Sequence, residues 1–295
     1  MSVVMLRRQK LGRTSCKEIA RMSNKILAVV RNDKPFPADL SMVIRWGTTS
    51  NVPIRGEDNI INTAEAIHRV GDKAGFRKIL MDDWKENKVG VGLPLCPFTW
   101  FQDEVGRPDV DQGHYPVVVR PRVHAQGKHV YLCDNPWRLV EAATICGEGW
   151  YASEYINKVS EYRVTFVQGR VAWVAKKTPG NPEDVAWNVA RGGRFDNVLW
   201  GEWPLKAVKL SREAFMLSGL DFGAVDVMID AAGQPYVLEI NSAPSQTSPY
   251  RQECMAKCFD YLIDHGKAVI PVVGDRGDWK KFIHPALSEE ARLVA

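Results

Sequence analysis

The stretch "VDVMIDAAGQPYVLEINSAPS", residues 225–245, decides how this 295-residue chain is read. Val225, Val227, Ile229, Val237, Leu238 and Ile240 suit a buried strand; Asp226, Glu239 and Asn241 do not. A turn centred on Ala232-Gly233, with Gly233 at positive φ, makes a hairpin of residues 225–230 with 235–241. In that register Asp226 falls opposite Glu239. Side chains alternate faces along a strand, so Glu239 and Asn241 share the face of Asp226, while Leu238 and Ile240 turn towards a core. Facing carboxylates repel unless something compensates them. A divalent cation is the simplest compensation, and an all-oxygen set suits Mg²⁺ or Mn²⁺ rather than zinc. Mg²⁺ takes one or two carboxylates plus phosphate oxygens, which points to a nucleotide. On spacing alone, a solvated hairpin face fits equally well.

Composition narrows the class. The chain is 45% hydrophobic, enough for a substantial core in one large domain or two. Its net charge of +4, from 39 basic and 35 acidic residues, is too mild to mark a nucleic-acid partner. The basic start (Arg7, Arg8, Lys10, Arg13) is followed by no long apolar run, so it is not a signal peptide. The runs "ILAVV" and "PVVV" are too short to span a bilayer, so no membrane partner is expected. Cys16, Cys96, Cys133, Cys146, Cys254 and Cys258 form no C-x-x-C pair, which predicts reduced thiols in a cytoplasmic protein. Cys254 and Cys258 share a helical stripe with Phe259 and Leu262 and read as core. His124 and His129 have no further ligands at zinc spacing.

Along the chain, "SCKEIARMS" carries a capping-box pattern, Ser15 and Glu18, predicting a helix from about residue 16. "SMVIRWG" reads as a strand ending at Gly47. The segment from Asn59 to Trp84 has helical apolar spacing, with Asn62 or Thr63 as its cap. "YPVVVRP" and "KHVYLC" read as a strand pair. "ASEYI" and "EYRVTFVQGRVAWVAKK" read as one antiparallel set turning at Gln168-Gly169. "LKAVKLSREAFMLSGL" is an amphipathic helix stopped by Gly219. A second helix starts at Ser248-Pro249 and stops at Gly266. From Lys267 on, a strand-like piece and a tail are expected.

Two more features bear on chemistry. Arg120 ends a strand and precedes a loop with Gly127 and Lys128, groups suited to covering a triphosphate. No Walker loop and no G-x-G-x-x-G after a strand exist in the chain. Glu161 and Arg163 lie two apart on one strand face, where a surface ion pair is the ordinary reading.

In this order, "IRWG", "IINTAEAIHRVGDKAGFRKIL", "LPLCPFTW", "PVVVRP…QGKHV", "SEYINKVSEYRV", "WNVARGG" and "GLDFGAVDV…YVLEINSAPS" resemble the ATP-grasp superfamily, in its RimK-like carboxylate–amine ligase branch. Several also resemble a phage-type group within that branch. The resemblance spans most of the chain, and its last motif is the most specific. It implies an α/β (α+β) ATP-grasp fold in three parts: an amino-terminal α/β domain (1–86), a small lid subdomain (87–153) and a larger antiparallel-sheet subdomain (154–295) carrying the nucleotide and metal site.

It also implies roles. Asp226, Glu239 and Asn241 would hold Mg²⁺ or Mn²⁺, as two ions bridged by Glu239. Glu154, Tyr155 and Ile156 would be the adenine hinge, and Glu161 the ribose contact. Arg120 would contact the α- and β-phosphates, Gly127 would let the lid close over them with Lys128 beside it, and Lys177, or failing that Lys176, would be a further phosphate or adenine-side contact. Arg163, Arg191 and Asn188 would stabilise the reacting phosphoryl group. Two departures stand out: the lid has few glycines, and Ser245 replaces a common glycine.

The implied reaction activates a carboxylate as an acyl phosphate, which an amine then attacks, releasing ADP and phosphate. Small-molecule, amino-acid or peptide acids and amines are the expected partners, with no nucleic acid. A kinase sharing the metal site and a silent nucleotide-binding module are the alternatives. Arg45, Trp46 and Lys73 are candidates for the substrate cleft, each with an ordinary structural reading beside it.

Overall fold

Strand β1 (Ser2–Arg7) is buried along its whole length. That pattern belongs to a central parallel strand covered on both faces. Strands β2 (Ile26–Arg31) and β3 (Leu40–Trp46) flank it in parallel, and β4 (Ile60–Ile61) lies outside β3. The computed structural model describes residues 2–8, 13–54, 56–86, 95–102, 115–123, 129–187, 192–273 and 278–293.

Helix α1 (Arg13–Met22) begins earlier than its capping-box pattern predicts. Ser15 is not a cap: it is buried, and its hydroxyl donates to the Gln246 carbonyl at 3.1 Å and accepts from the Gln246 amide at 2.9 Å. The periodic segment that follows β4 divides into α2 (Ala64–Gly71) and α3 (Lys73–Glu86). Asp72 ends the first helix, and its Oδ1 accepts from the Gly75 amide at 3.0 Å. Thr63 is the N-cap of α2.

Asn62 has another task. At φ 63° and fully buried, its Oδ1 accepts from the Asp221 and Phe222 amides, and its Nδ2 donates to the Phe222 carbonyl. It thereby stitches the parallel sheet to the start of a later strand. Asn62→Ala should lower unfolding free energy by about 1–3 kcal/mol, the cost of stranding buried polar groups, measurable by urea denaturation.

The next elements are β5 (Thr99–Phe101), β6 (Val117–Arg120), β7 (Tyr131–Cys133), α4 (Pro136–Cys146) and β8 (Tyr151–Glu154). They form an antiparallel sheet in the order β5-β8-β6-β7, with a small core of its own around Val117, Val119, Leu139 and Trp150. The "ASEYI" strand therefore pairs here, between β5 and β6, and not with the strands that follow it.

Those strands are β9 (Lys158–Val167), β10 (Arg170–Thr178) and β11 (Arg194–Asn197), joined by β12 (Phe222–Asp230) and β13 (Pro235–Asn241) after helix α5 (Leu205–Ser218). Their antiparallel sheet runs β11-β10-β9-β12-β13. Gln168 and Gly169 both take positive φ at the β9–β10 turn, the geometry that matches strand twist in a two-residue hairpin. Gly219 ends α5 in the left-handed region.

Helix α6 (Pro249–His265) follows the position of Ser248, which makes no side-chain cap bond. Val164, Phe166, Val225, Val227, Val237 and Ile240 share the main core with Phe215 of α5 and Phe259 of α6. Cys254 and Cys258 lie in that core, and all six thiols are free. The final stretch is not strand-like: it makes 3-10 turns at Trp279–Phe282 and Pro285–Leu287 and a short helix. Its one sheet-like contact among the described residues is a bridge between Val171 and Ile283. No helix among the described residues is long and apolar enough to cross a membrane.

Candidate active site

The face of the five-stranded sheet opposite the core is built as rungs. One rung runs Asn197, Ala175, Arg163, Asp226, Glu239 across β11, β10, β9, β12 and β13. The next runs Phe195, Lys177, Glu161, Met228. The expected pairing of Asp226 with Glu239 is present, as is the positive φ of Gly233 in the turn.

A bulge shifts the register between Asp226 and Val227, and Leu238 is the extra residue. Val237 and Ile240 therefore both reach the core, whereas Leu238, expected there, is only half-buried. The Leu238 carbonyl accepts from Arg77 of α3 at 2.9 Å.

The charges are not paired as expected. Glu161 and Arg163 form no surface pair. Arg163 donates through Nε and Nη2 to the two oxygens of Asp226, at 2.6 and 2.8 Å. Glu161 is buried and takes Lys158 on Oε2 at 2.5 Å and Lys177 on Oε1. Lys177 also stands 3.5 Å from Asp226.

Burial pushes the Asp226 carboxyl up, but Arg163 and Lys177 outweigh it and hold the group well below the usual range. Burial pushes Lys177 down, yet Asp226 and Glu161 leave it raised overall. For Lys158 burial wins, and its affinity for a proton is lowered. The compensation assigned to a cation is thus supplied in this structure by neighbouring side chains. Of the two candidate lysines, Lys177 belongs to this face; Lys176 turns to the other and is exposed.

At the outer end of the rung, Asn241 donates from Nδ2 to Glu239 Oε1 at 3.0 Å, leaving its amide oxygen as an acceptor. Lys73, at the start of α3, donates to the Ile240 carbonyl at 2.6 Å and stands 3.6 Å from Glu239 Oε2. Of the three cleft candidates it alone reaches the charged face. Arg45 is folded back on the carbonyls of Thr48 and Ser50, and Trp46 is buried against Phe222 at 5.3 Å.

The donor set fits a hard cation. It is all oxygen, and a carboxylate has about four lone-pair sites, so Asp226 can accept from Arg163 and still offer an oxygen. Among the described residues no group of three or more His, Cys, Asp or Glu could hold a metal; this set is two carboxylates and an amide.

Gly47 brings the parallel sheet against the segment after Asn241. It has φ +65°, and a Cβ there would stand 2.6 Å from that of Ala243. Gly47→Ala should cost about 1–3 kcal/mol of stability by overpacking and backbone strain, and should displace residues 242–243 in a crystal structure.

Arg120 donates to Ser153 at 2.7 Å and lies over Tyr151; burial lowers its guanidinium to about 10. In the segment expected as the adenine hinge, the Glu154 amide donates to the Phe98 carbonyl and the Tyr155 amide to the Pro116 carbonyl. Gly127, Lys128, Asn188 and Arg191 lie outside the described residues.

Sequence reasoning missed Lys158 and Arg251. Lys158 lies three residues before Glu161 and by strict alternation faces the other way. A register shift between Ile229 and Asp230 skips Val159 and turns Lys158 inward. Arg251, on the first turn of α6, reaches Phe195 and Asn197 of β11, and nothing in its local sequence signals this.

Three comparisons place the chain. The model of the RimK-like ATP-grasp domain matches residues 88–255. The chain belongs to the RimK-like ATP-grasp family. It is 28% identical over 196 residues to a probable alpha-L-glutamate ligase of Aeromonas salmonicida, covering 62% of this chain and 60% of the relative. It is 29% identical over 183 residues to a D-alanine–D-alanine ligase of Halorhodospira halophila, covering 57% and 58%. The matches therefore span about three-fifths of the length of these curated relatives.

In solved structures the fold is similar to a D-alanine–D-alanine ligase from Bacillus anthracis, with TM-score 0.64 and 14% identity over 90% of this chain and 95% of the other. It is also similar to a RiPP-associated ATP-grasp ligase of Chryseobacterium gregarium, in complex with ADP and a leader and core peptide. There the TM-score is 0.61, with 16% identity over 94% and 99%. The fold is that of the ATP-grasp ligases.

Proposed function

We propose that the chain is an ATP-dependent carboxylate–amine ligase that forms an amide or peptide bond through an acyl phosphate, releasing ADP and phosphate. The observation that carries this reading is the rung Arg163–Asp226–Glu239, which sets a locked cation beside an oxygen-rich edge on one sheet face. Asp226, Glu239 and Asn241 would hold Mg²⁺ or Mn²⁺, two ions on this reading. The metal would neutralise charge on the transferring phosphoryl group.

Lys177, Arg120, Gly127 and Lys128 would meet the phosphates. The Ile156 amide would read the adenine edge, with Glu154 and Tyr155 shaping the hinge. Glu161 would give the ribose hydroxyls the lone pairs that Lys158 and Lys177 leave. Arg163, Arg191 and Asn188 would stabilise the in-line transfer, and Arg163 also the tetrahedral oxyanion formed when the amine attacks. A closed lid over residues 87–153 would keep water from the acyl phosphate. The remaining parts are the amino-terminal domain, 1–86, and the carboxy-terminal subdomain, 154–295. Six free thiols fit a cytoplasmic protein.

The names of the relatives make amino acids the first substrates to try. Pairs of amino acids are screened for ADP release, which should require both a carboxylate and an amine. With hydroxylamine as the amine, a hydroxamate should accumulate. A kinase would give a phosphoester and no hydroxamate. A silent nucleotide-binding module would show no Mg²⁺-dependent gain in ATP affinity.

A further inference from the structure

Arg163, Lys177 and Arg251 surround the ring of Phe195, with their charged ends 4.5, 5.5 and 5.9 Å from its centroid. Arg163 is paired with Asp226, and Lys177 with Glu161 and Asp226. Arg251 has no such partner among the described residues. Its Nε donates to Asn197 Oδ1 at 2.7 Å and its Nη2 to the Phe195 carbonyl at 2.8 Å, both neutral acceptors. Asp196, the acidic residue that acts on it, belongs to the opposite face of β11 and bonds Thr178 and Arg194.

Arg251 is nevertheless 4% exposed. It lies on the first turn of α6, the end of a helix where a cation is disfavoured. A buried guanidinium beside a second one, with no carboxylate, is costly unless an anion completes the set.

The place of that anion follows from the rung. On the ligase reading, the phosphates lie between Glu239 and Arg163. Arg251 stands at the other end, beyond Arg163 and next to Asn197. Between them the rung carries only Ala175, the smallest side chain of its five residues. We propose that Arg251 binds the non-reacting carboxylate of a substrate whose reacting end is held at Arg163. It restricts substrates to molecules with an anionic group a few bonds from the reacting centre. This inference rests on the ligase reading for its geometry, but its test does not require turnover.

The probes are glutarate against glutaramate, which mimic an acyl donor with and without a second carboxylate, and glycine against glycinamide for the amine acceptor. Binding is followed by tryptophan fluorescence in the full chain loaded with Mg²⁺ and a non-hydrolysable ATP analogue. At least one pair should show a preference of about ten- to a hundredfold for the carboxylate member, the size of a charge-assisted bond. The pair that shows it identifies the donor or the acceptor as the source.

Arg251→Gln should abolish the preference and leave nucleotide affinity unchanged, and Arg251→Lys should reduce it. Asn197→Ala, which removes only the tether of the guanidinium, should keep it. Equal binding of both members in both pairs would overturn the proposal. So would a parallel loss of nucleotide affinity in Arg251→Gln, which would assign the guanidinium to the phosphates, or loss of the preference in Asn197→Ala, which would make the role structural. A chain that binds the diacid selectively but never releases ADP would keep this inference and sink the ligase reading.

Discussion

Replacing Glu239 by Gln should lower kcat/KM for carboxylate- and amine-dependent ADP release by about a thousandfold, or ~4 kcal/mol of transition-state stabilisation. The substitution keeps size and shape and removes one negative charge from the edge where Asn241 and Lys73 meet Glu239. A glutamine is neutral and offers one oxygen where the carboxylate offers two, so it would hold a divalent cation more weakly while keeping its bond to Asn241. Glu239 is half-buried, with its charge shared by Lys73 across 3.6 Å, so folding should change by less than about 1 kcal/mol. ATP affinity without Mg²⁺ should stay as in the wild type, and the gain on adding Mg²⁺ should shrink. Steady-state assays with titration of ATP in the presence and absence of Mg²⁺ check this. Full activity in Glu239→Gln would remove the metal assignment.

Asp226→Asn should have the largest effect on stability, about 3–5 kcal/mol, read from urea denaturation at neutral pH. Asp226 is buried and accepts both donors of Arg163, so its loss strands the largely buried Arg163 guanidinium against a neutral amide and leaves Lys177 to Glu161 alone. The same carboxylate gives the protein part of its acid sensitivity. Burial alone would raise its affinity for a proton, but Arg163 and Lys177 reverse this and hold the folded-state value below the ordinary 3.8. The unfolded chain therefore takes up that proton first as pH falls. The stabilisation is complete above about pH 4 and is lost progressively below it. In Asp226→Asn this component should vanish, so the variant starts less stable and loses less between pH 4 and 2.

The sequence made the working hairpin legible because two local rules agree there. Gly233 can turn the chain, and alternation puts Asp226, Glu239 and Asn241 on one face. What it hid were breaks in alternation and partners from distant strands. A bulge at Leu238 sends Val237 and Ile240 to the same core, and a register shift at Val159 turns Lys158 onto Glu161. Neither leaves a mark in the order of residue types.

Arg163 reaches Asp226 from 63 positions away, so the sequence could only offer it the nearer Glu161 as a partner. The same limit applies to Asn62, whose side chain resembles a helix cap but is spent holding Asp221 and Phe222, 159 and 160 residues away. The strand at residues 151–154 joined the wrong set for a related reason: nearness in sequence favoured β9, whereas pairing favours β5 and β6.

The most direct measurement follows oxygen: a carboxylate substrate found in the ADP-release screen is labelled with ¹⁸O in both oxygens, and the released phosphate is analysed by mass. If the carboxylate attacks the γ-phosphorus and the amine then displaces phosphate, one ¹⁸O moves into each phosphate formed. Phosphate released without label, at a rate matching ADP release, would contradict the mechanism.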